Sequence, residues 1–386
     1  MSQRLRIGIS CYPTFGGSGI LATELGLELA RRGHQVHFVS SQIPFRFDGF
    51  VPNAFFHEVE ARGYPLFEHD NYALALASKM VEVATFAGLD LFHVHYAIPH
   101  ATAGYLARQI LGAGAFRLVT TLHGTDITVV GADRSYLPVT RFSIEASDLV
   151  TVPSRFLREA TYENLGVRRD KEIEVISNFV NTSQYAPAAG PATGERLLVH
   201  NSNFRPLKRV EDVVRIFAQV RKGRRCELLL IGDGPERSKA ERMVRALGLS
   251  GSVTFLGKQL NFVEVLQRAR VFLLPSASES FGLAALEALS CGVPVVASRV
   301  GGLPEVIDHC ESGFLEPVGD VPAMATAVAR LLDDDALHAR MSRRARETAV
   351  SRFQMPPLVD RFEAAYRRVL RMPPLPLARS AGEGAS

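Results

Sequence analysis

The sequence predicts an α/β fold of two Rossmann-like, doubly wound parallel-sheet domains facing a central cleft, and three observations carry that prediction. The chain has 386 residues, more than one hydrophobic core usually organises. Short runs rich in Val, Ile and Leu alternate with amphipathic stretches, the order of β-α-β units whose sheet is covered on both faces. The segment Ala186-Pro-Ala-Ala-Gly-Pro-Ala-Thr-Gly194 then breaks this order as a surface linker, and the order starts again after it. The expected division is a first domain over 1–188, a second over 189–353, a helix within 354–372 crossing back onto the first domain, and a tail over 373–386.

Each element follows from its residue pattern. The first half reads as strand Arg6 to Cys11, helix Ile20 to Arg32, strand Gln35 to Ser40 and helix Tyr72 to Ala87. Strand Leu91 to Tyr96, helix Thr102 to Leu111, strand Arg117 to Leu122 and a further run, Ser147 to Val152, follow. The second half repeats the pattern with strands Arg196 to Asn201, Glu227 to Gly232, Val253 to Gly257 and Val271 to Leu274. Helices Val210 to Val220, Lys239 to Leu247 and Phe262 to Ala269 lie between them. Met355 to Arg371 resumes a helix, and the proline-rich stretch after Met372 reads as a disordered tail. Ligands of open parallel sheets gather outside the carboxyl ends of strands, so the loops after strands are where chemistry is sought.

Composition removes several function classes. No run of about 20 apolar residues could span a bilayer, and the N-terminus enters a short strand rather than an export signal. The first half carries 16 Lys and Arg against 18 Asp and Glu, which counts against a basic membrane-docking or nucleic-acid face there. Cys11, Cys226, Cys291 and Cys310 are widely spaced, the usage of reduced thiols in a cytoplasm. A cytoplasmic protein acting on small molecules is expected, with neither membrane nor nucleic acid as partner.

The tightest chemical constraint is Glu279-Ser-Phe-Gly-Leu-Ala-Ala-Leu-Glu287, directly after Val271-Phe-Leu-Leu-Pro275. A buried strand ends there and a helix begins whose spacing returns Glu287 to nearly the face of Glu279. Two hydrogen-bond acceptors then face one crevice, into which the first-turn N–H groups point as a phosphate site. Sugar hydroxyls and a diphosphate would satisfy both. In Asn203-Phe-Arg205-Pro-Leu-Lys208-Arg209, Arg205 and Lys208 supply two cations for a diphosphate, unless this is a solvated basic loop. The loop Tyr12-Pro-Thr-Phe-Gly16-Gly17-Ser18-Gly19 allows close backbone approach to an anion or serves packing alone. It lacks the GxGxxG spacing of a dinucleotide site.

His123-Gly124-Thr125-Asp126 follows a strand, where the histidine bonds a sugar, moves a proton or caps the next helix. His93 and His95 are read as facing opposite sides of their strand and so as a poor metal pair, with Tyr96 and His100 at the strand end toward substrate. Asp333-Asp-Asp335 reads as a helix end and a cap rather than a metal site. Arg141 and Glu145, one helical turn apart, read as a surface ion pair, and Lys79 as a solvated helix residue.

Together, the glycine loop, His123, Arg205 with Lys208, and the Glu279-x-Phe-Gly-x-x-x-x-Glu287 pattern resemble the retaining nucleotide-sugar glycosyltransferases of the two-Rossmann, GT-B type. The resemblance covers about residues 4 to 371. Tyr12-Pro-Thr-Phe-Gly-Gly-Ser-Gly, His93-Val-His-Tyr-Ala-Ile-Pro-His100 and Thr121-Leu-His-Gly-Thr-Asp-Ile-Thr128 are similar to the branch that opens bacillithiol biosynthesis. That resemblance implies UDP-GlcNAc as donor, L-malate as acceptor, retention of the α configuration, no cofactor and no required metal. It also leaves a homodimer open.

By resemblance, His123, Arg205, Lys208 and Glu279 are the catalytic set. Donor contacts would come from Gly16, Gly17, Arg205, Lys208, Glu279, Phe281, Gly282, Leu283 and Glu287, with Glu279 on the sugar hydroxyls O3 and O4 and Glu287 on the ribose. His123 would reach the sugar near O6. Ser18, Lys79, Tyr96, Thr121 and Arg141 are the acceptor set, partly by comparison with the mycothiol-pathway enzyme, which grips an inositol phosphate. Competing readings keep the donor and change the acceptor to a phosphorylated polyol, a sugar or a lipid. Others make the chain a UDP-sugar epimerase or a non-catalytic UDP-sugar binder.

Overall fold

The computed structural model describes residues 3–13, 16–47, 49–61, 71–128, 131, 133–189, 196–259, 261–373 and 375. Two compact units emerge: residues up to Ser177 together with those from Pro357 onward, and Asn178–Pro356.

The first unit holds a seven-stranded sheet: β1 (Arg6–Ser10), β2 (Gln35–Ser40), β3 (Ala54–Glu58), β4 (Leu91–His95), β5 (Arg117–Thr121), β6 (Leu149–Val152) and β7 (Ile173–Val175). Its order is β3-β2-β1-β4-β5-β6-β7, with every adjacent pair parallel. The register sets Ile7 beside both Val36 and Leu91. β1, β4, β5 and β6 are buried almost throughout, as strands covered on both faces must be. Gly8 is obligatory in β1 because a Cβ there would lie 2.2 Å from the Phe92 ring.

The helix Met355–Arg371 returns the chain to this unit. Arg32 reaches Asp360 at 2.6 Å and Glu363 at 2.9 Å, and the buried Tyr366 hydroxyl meets His93 Nδ1 at 2.7 Å.

The second unit holds six strands: β8 (Leu197–Asn201), β9 (Glu227–Ile231), β10 (Val253–Gly257), β11 (Val271–Leu274), β12 (Val295–Ser298) and β13 (Gly313–Glu316). Their order is β10-β9-β8-β11-β12-β13, again all parallel. Separate apolar clusters cover its two faces, one including Phe217, Leu228 and Val328, the other Phe272, Leu286 and Phe353. Burying each such side chain stabilises by roughly 1.5–3 kcal/mol relative to exposure.

Several boundaries differ from the expected ones for local reasons. The first helix starts at Gly17, three residues before Ile20, because Gly16 is extended and forms its N-cap. Strands β3, β7, β12 and β13 and the helix Arg155–Leu165 were not anticipated. β3 is only partly buried, and β13 is just four residues long. Asp333 closes one helix and Asp334 caps the next by accepting from the Leu337 N–H at 2.9 Å, the capping role read from the sequence.

Thr14 and Phe15 of the first loop, 190–194 of the linker and 376–386 of the tail lie outside the described residues.

Candidate active site

In the second unit the strand order reverses between β8 and β11, so the loops after those strands open side by side at the carboxyl edge of the sheet. The β8 loop turns through left-handed backbone at Phe204 (φ 40°) and Arg209 (φ 50°). The Ala277 N–H donates to the Leu207 carbonyl at 2.7 Å and joins the two loops. Lys208 Nζ then donates to Glu279 Oε1 at 2.6 Å, and Ser276 Oγ donates to the same oxygen at 2.8 Å. The Lys208 side chain is 18% exposed and that of Glu279 9%, so the pair is poorly screened by water. No described residue bonds Glu279 Oε2, which leaves that oxygen for a ligand hydroxyl. Arg205 is exposed and has no side-chain partner among the described residues.

Sequence reasoning missed two glycine pairs that hold these loops. The Gly302 N–H donates to the Glu279 carbonyl at 2.9 Å, and a Cβ on Gly301 (φ 59°) would stand 1.9 Å from that carbonyl oxygen. Cβ atoms on Gly232 and Gly234 would lie 1.8 Å from the Ser202 and 2.1 Å from the Asn203 carbonyl oxygen. The signal was present as glycines directly after β9 and β12, positions that need close backbone approach.

The helix Leu283–Ser290 follows Gly282 (φ 96°) and has no acidic residue in its first turn. Its first amides lack intrahelical acceptors and suit a phosphate. Glu287 lies in its second turn, 4% exposed. Phe281 is different: its side chain is in the core, 5.7 Å from the Phe353 ring. The donor-binding expectation for Phe281 therefore narrows to its backbone.

In the first unit the strand order reverses at β1 and β4. The loop after β1 leads through Gly16 and Gly17 into the helix Gly17–Arg31, whose first turn also has no acidic residue. Ser18 Oγ bonds the Tyr96 hydroxyl at 2.6 Å, bringing two of the expected acceptor residues together. Tyr96 has φ 83°, backbone a bulky residue rarely adopts, and its N–H donates to the Thr121 carbonyl at 2.9 Å. Tyr12 packs edge-on against Tyr96 and His100, with ring centres 5.3 and 4.6 Å away. Burial pushes the Tyr12 hydroxyl up to about 12, and also raises Tyr96.

His123 Nε2 meets His95 Nδ1 at 2.8 Å, and the two rings stack 5.1 Å apart. Burial lowers His123, His93 and His100 to about 3 and drives His95 well down, so the cluster is neutral at pH 7. One proton is thus shared along the His95–His123 contact. With His95 donating from Nδ1, the buried His95 Nε2, which has no partner among the described residues, is a bare acceptor rather than a stranded N–H. His123 then carries its proton on Nδ1, the nitrogen no described residue occupies. Asp126, also missed, accepts from the N–H groups of Gly124 (2.9 Å), His123 (3.2 Å) and Ala97 (3.3 Å), which fixes the His123 turn. Burial nevertheless pushes its carboxyl up to about 6.

His93 and His95 lie on the same side of β4, their ring centres 4.5 Å apart, which corrects the expectation that they face opposite sides. Residues two apart on a strand share a face. Three acceptor-set residues are engaged elsewhere. The buried Thr121 hydroxyl bonds His93 Nε2 at 2.6 Å and Thr151 Oγ1 at 2.5 Å, so it points inward. Lys79 pairs with Glu82 at 2.7 Å and lies near His57. Arg141 donates to the Leu165 carbonyl at 2.6 Å, while Glu145 accepts from the Arg168 N–H. The expected Arg141–Glu145 pair is thus replaced. Among the described residues no group of three or more His, Cys, Asp or Glu side chains is arranged to hold a metal ion.

Comparison with known proteins gives these arrangements a context. Residues 15–184 match the model of Glycosyltransferase Family 4, and residues 182–348 match that of Glycosyl transferases group 1. The chain is 46% identical over 377 residues to N-acetyl-alpha-D-glucosaminyl L-malate synthase of Bacillus anthracis, covering 96% of this chain and 98% of the relative. D-inositol 3-phosphate glycosyltransferase of Saccharomonospora viridis is 28% identical, over 92% and 90% of the two chains. Sucrose-phosphate synthase from Thermosynechococcus elongatus superposes with a TM-score of 0.80 at 26% identity, over 95% of this chain and 99% of that one. Anabaena HepE in complex with UDP-glucose shares the fold, with a TM-score of 0.78 at 21% identity, over 95% and 100%.

Proposed function

We propose that this chain, which belongs to the glycosyltransferases built from a family 4 amino-terminal half and a group 1 carboxy-terminal half, moves N-acetylglucosamine from UDP-GlcNAc to the hydroxyl of L-malate. The products are GlcNAc-α-malate and UDP, the first step of bacillithiol biosynthesis, and the reaction runs in the cytoplasm. No helix among the described residues is long and apolar enough to cross a membrane. The observation that carries the donor chemistry is the Lys208–Glu279 bond at the carboxyl edge of β8 and β11, beside the open amides of Leu283–Ser290. The choice of malate rests on the 46% identical relative.

The mechanism follows from these groups. Lys208, Arg205 and the first-turn amides neutralise the diphosphate as UDP leaves, each charge-assisted bond contributing roughly 1.5–3 kcal/mol. These cations make a metal unnecessary in this reading. Glu279 orients Lys208 through Oε1 and offers Oε2 to the sugar hydroxyls. His123, protonated on Nδ1, donates to the sugar.

Of the three buried carboxylates described here, Glu279 is tied to Lys208 and Ser276, Asp126 is enclosed by three backbone N–H groups, and Glu287 is assigned to the ribose. None is left as a nucleophile in this reading, which supports a front-face displacement. There the leaving phosphate oxygen takes the malate proton and the α configuration is kept.

The test is UDP release from UDP-GlcNAc with and without L-malate, with mass detection of the product. Malate-dependent release of a glycosyl malate is expected. Release independent of malate would refute the acceptor, and isomerisation of the donor alone would refute transfer.

A further inference from the structure

One buried group that the transfer mechanism leaves unused is His200, the fourth residue of β8, whose side chain is wholly enclosed. β8 and β11 run side by side through Leu198 with Val271 and Val199 with Phe272. One residue further on, the strands are joined through the His200 ring, whose Nδ1 lies 2.8 Å from the Leu273 carbonyl oxygen. Its Nε2 lies 2.8 Å from Ser202 Oγ, and Ser202 Oγ accepts from the Phe204 N–H at 3.3 Å.

These contacts admit one arrangement of protons. Burial lowers His200 to about 4, so the ring is neutral at pH 7 and carries a single N–H. A carbonyl only accepts, so that proton sits on Nδ1 and points at Leu273. Nε2 is then an acceptor to which the Ser202 hydroxyl donates, and the Ser202 oxygen is left to receive the Phe204 N–H. Every proton in this network has an acceptor.

The network ends on both loops of the donor site. Phe204 has φ 40°, a conformation that a bulky residue keeps only where its surroundings over-determine it. Ser202 holds its N–H, its buried ring lies 6.1 Å from the His200 ring centre, and its carbonyl accepts from the Glu236 N–H at 3.0 Å. Arg205 is the next residue, and Lys208 follows in the same loop. On the other side, Leu273 leads within three residues to Ser276, which shares Glu279 Oε1 with Lys208. His200 is therefore the side chain bonded to both branches where they part.

We propose that His200 is a positioning residue of the donor site: held in its Nδ1–H tautomer by the Leu273 carbonyl, it aims the Ser202 hydroxyl and so fixes the Phe204 turn that presents Arg205 and Lys208. This role rests on the assignment of those two cations to the diphosphate. His200 acts through Ser202 and contacts no substrate. Phenylalanine would fill the same space and join neither loop, whereas the imidazole offers a donor and an acceptor on one rigid ring.

The experiment is calorimetric titration of the full chain with UDP, for the wild type and for Ser202→Ala, Ser202→Thr, His200→Phe and Lys208→Ala, together with the ¹⁵N imidazole spectrum of the wild type. Ser202→Ala should weaken UDP binding about five- to tenfold, and His200→Phe at least as much. Ser202→Thr keeps the hydroxyl and should retain most of the affinity. Combining His200→Phe with Ser202→Ala should cost little more than His200→Phe alone, because both break one network. The His200 resonances should be those of the Nδ1–H tautomer. Binding that falls in Lys208→Ala but is unaltered in Ser202→Ala and His200→Phe overturns the positioning role and leaves the donor site standing. An Nε2–H tautomer, or a loss in Ser202→Thr as large as in Ser202→Ala, overturns it as well. Binding that Lys208→Ala also leaves unaltered removes the diphosphate assignment, and the positioning role with it.

Discussion

The Lys208–Glu279 bond makes the sharpest prediction, because one contact is asked to serve two substrate parts. Lys208→Ala removes a cation from the diphosphate and leaves Glu279 with only Ser276. Glu279→Gln keeps shape and the Ser276 contact but removes the charge that aims Lys208 at 2.6 Å. A charge-assisted bond contributes roughly 1.5–3 kcal/mol, so each variant should lose about 10- to 150-fold in kcat/KM. Both act partly through the same bond, so the double variant should fall short of the product of the single losses by roughly 0.5–3 kcal/mol. The assay is malate-dependent UDP release by all four proteins, with thermal unfolding in parallel. Lys208→Ala leaves the 9%-exposed Glu279 side chain without its cation, so its unfolding midpoint should fall, whereas the neutral Glu279→Gln should move less. Strictly multiplicative losses would refute the claim that Glu279 works through Lys208, and near-normal turnover of Lys208→Ala would refute the assigned diphosphate role.

Further outcomes follow from the surrounding geometry. Gly301→Ala places a Cβ 1.9 Å from the Glu279 carbonyl oxygen at φ 59°, so turnover should collapse and stability fall by roughly 1–3 kcal/mol; wild-type turnover in that variant would contradict the close approach. Thr121→Val breaks the buried bonds to His93 and Thr151 and should cost about 1–3 kcal/mol in chemical denaturation, with KM for malate unchanged; a selective rise in that KM would return Thr121 to the acceptor set. His93, His100 and His123 have pKa values depressed by burial to about 3, below the unfolded value near 6.5. Between those values the unfolded chain binds more protons, so stability is full above pH 6.5 and declines as pH falls, by up to about 1.4 kcal/mol per pH unit for each histidine. An unfolding midpoint that stays flat from pH 7 to 5 would refute neutral burial. His95→Phe removes the partner that sets the His123 tautomer, so kcat should drop with UDP affinity retained; His95→Asn, which keeps a hydrogen-bonding group there, should recover part of the loss.

How much of this was legible in the sequence differs between the two halves, and the reason is physical. The residues proposed for the donor, Arg205, Lys208, Glu279 and Glu287, lie in or just after the loops of two adjacent strands, so short spacings after predictable apolar runs were enough to single them out. Glycines 232, 234, 301 and 302 escaped because their role is an approach between loops more than 20 residues apart: their place after β9 and β12 signals a close approach, but no local pattern names the partner loop. In the first unit the decisive contacts join different strands: Ser18 to Tyr96, His95 to His123, Asp126 to Ala97. Each side chain there had two readings, and only tertiary partners chose between them. Thr121 had the composition of a ligand contact and became an interior one. The same-face rule for residues two apart would have corrected the His93–His95 reading from sequence alone.

The neutrality of the histidine cluster ties fold to chemistry. A charged imidazolium beside Tyr12, Tyr96 and His100 would be attractive for an acceptor carboxylate, yet burial forbids it at pH 7. Acceptor charge must then be met by neutral donors: the open amides after Gly16, the Ser18 and Tyr96 hydroxyls and a protonated imidazole nitrogen. Such donors bind an anion without forming a tight ion pair, and an acceptor hydroxyl held by neutral groups keeps its nucleophilicity. In the proposed reaction, strong positive charge is thereby reserved for the leaving diphosphate, where negative charge develops as the glycosidic bond breaks. A kcat/KM profile for malate that is level between pH 6.5 and 7.5 is the expected signature. A limb rising toward acid, with loss of that limb in His123→Asn, would show that a cationic histidine binds the acceptor after all.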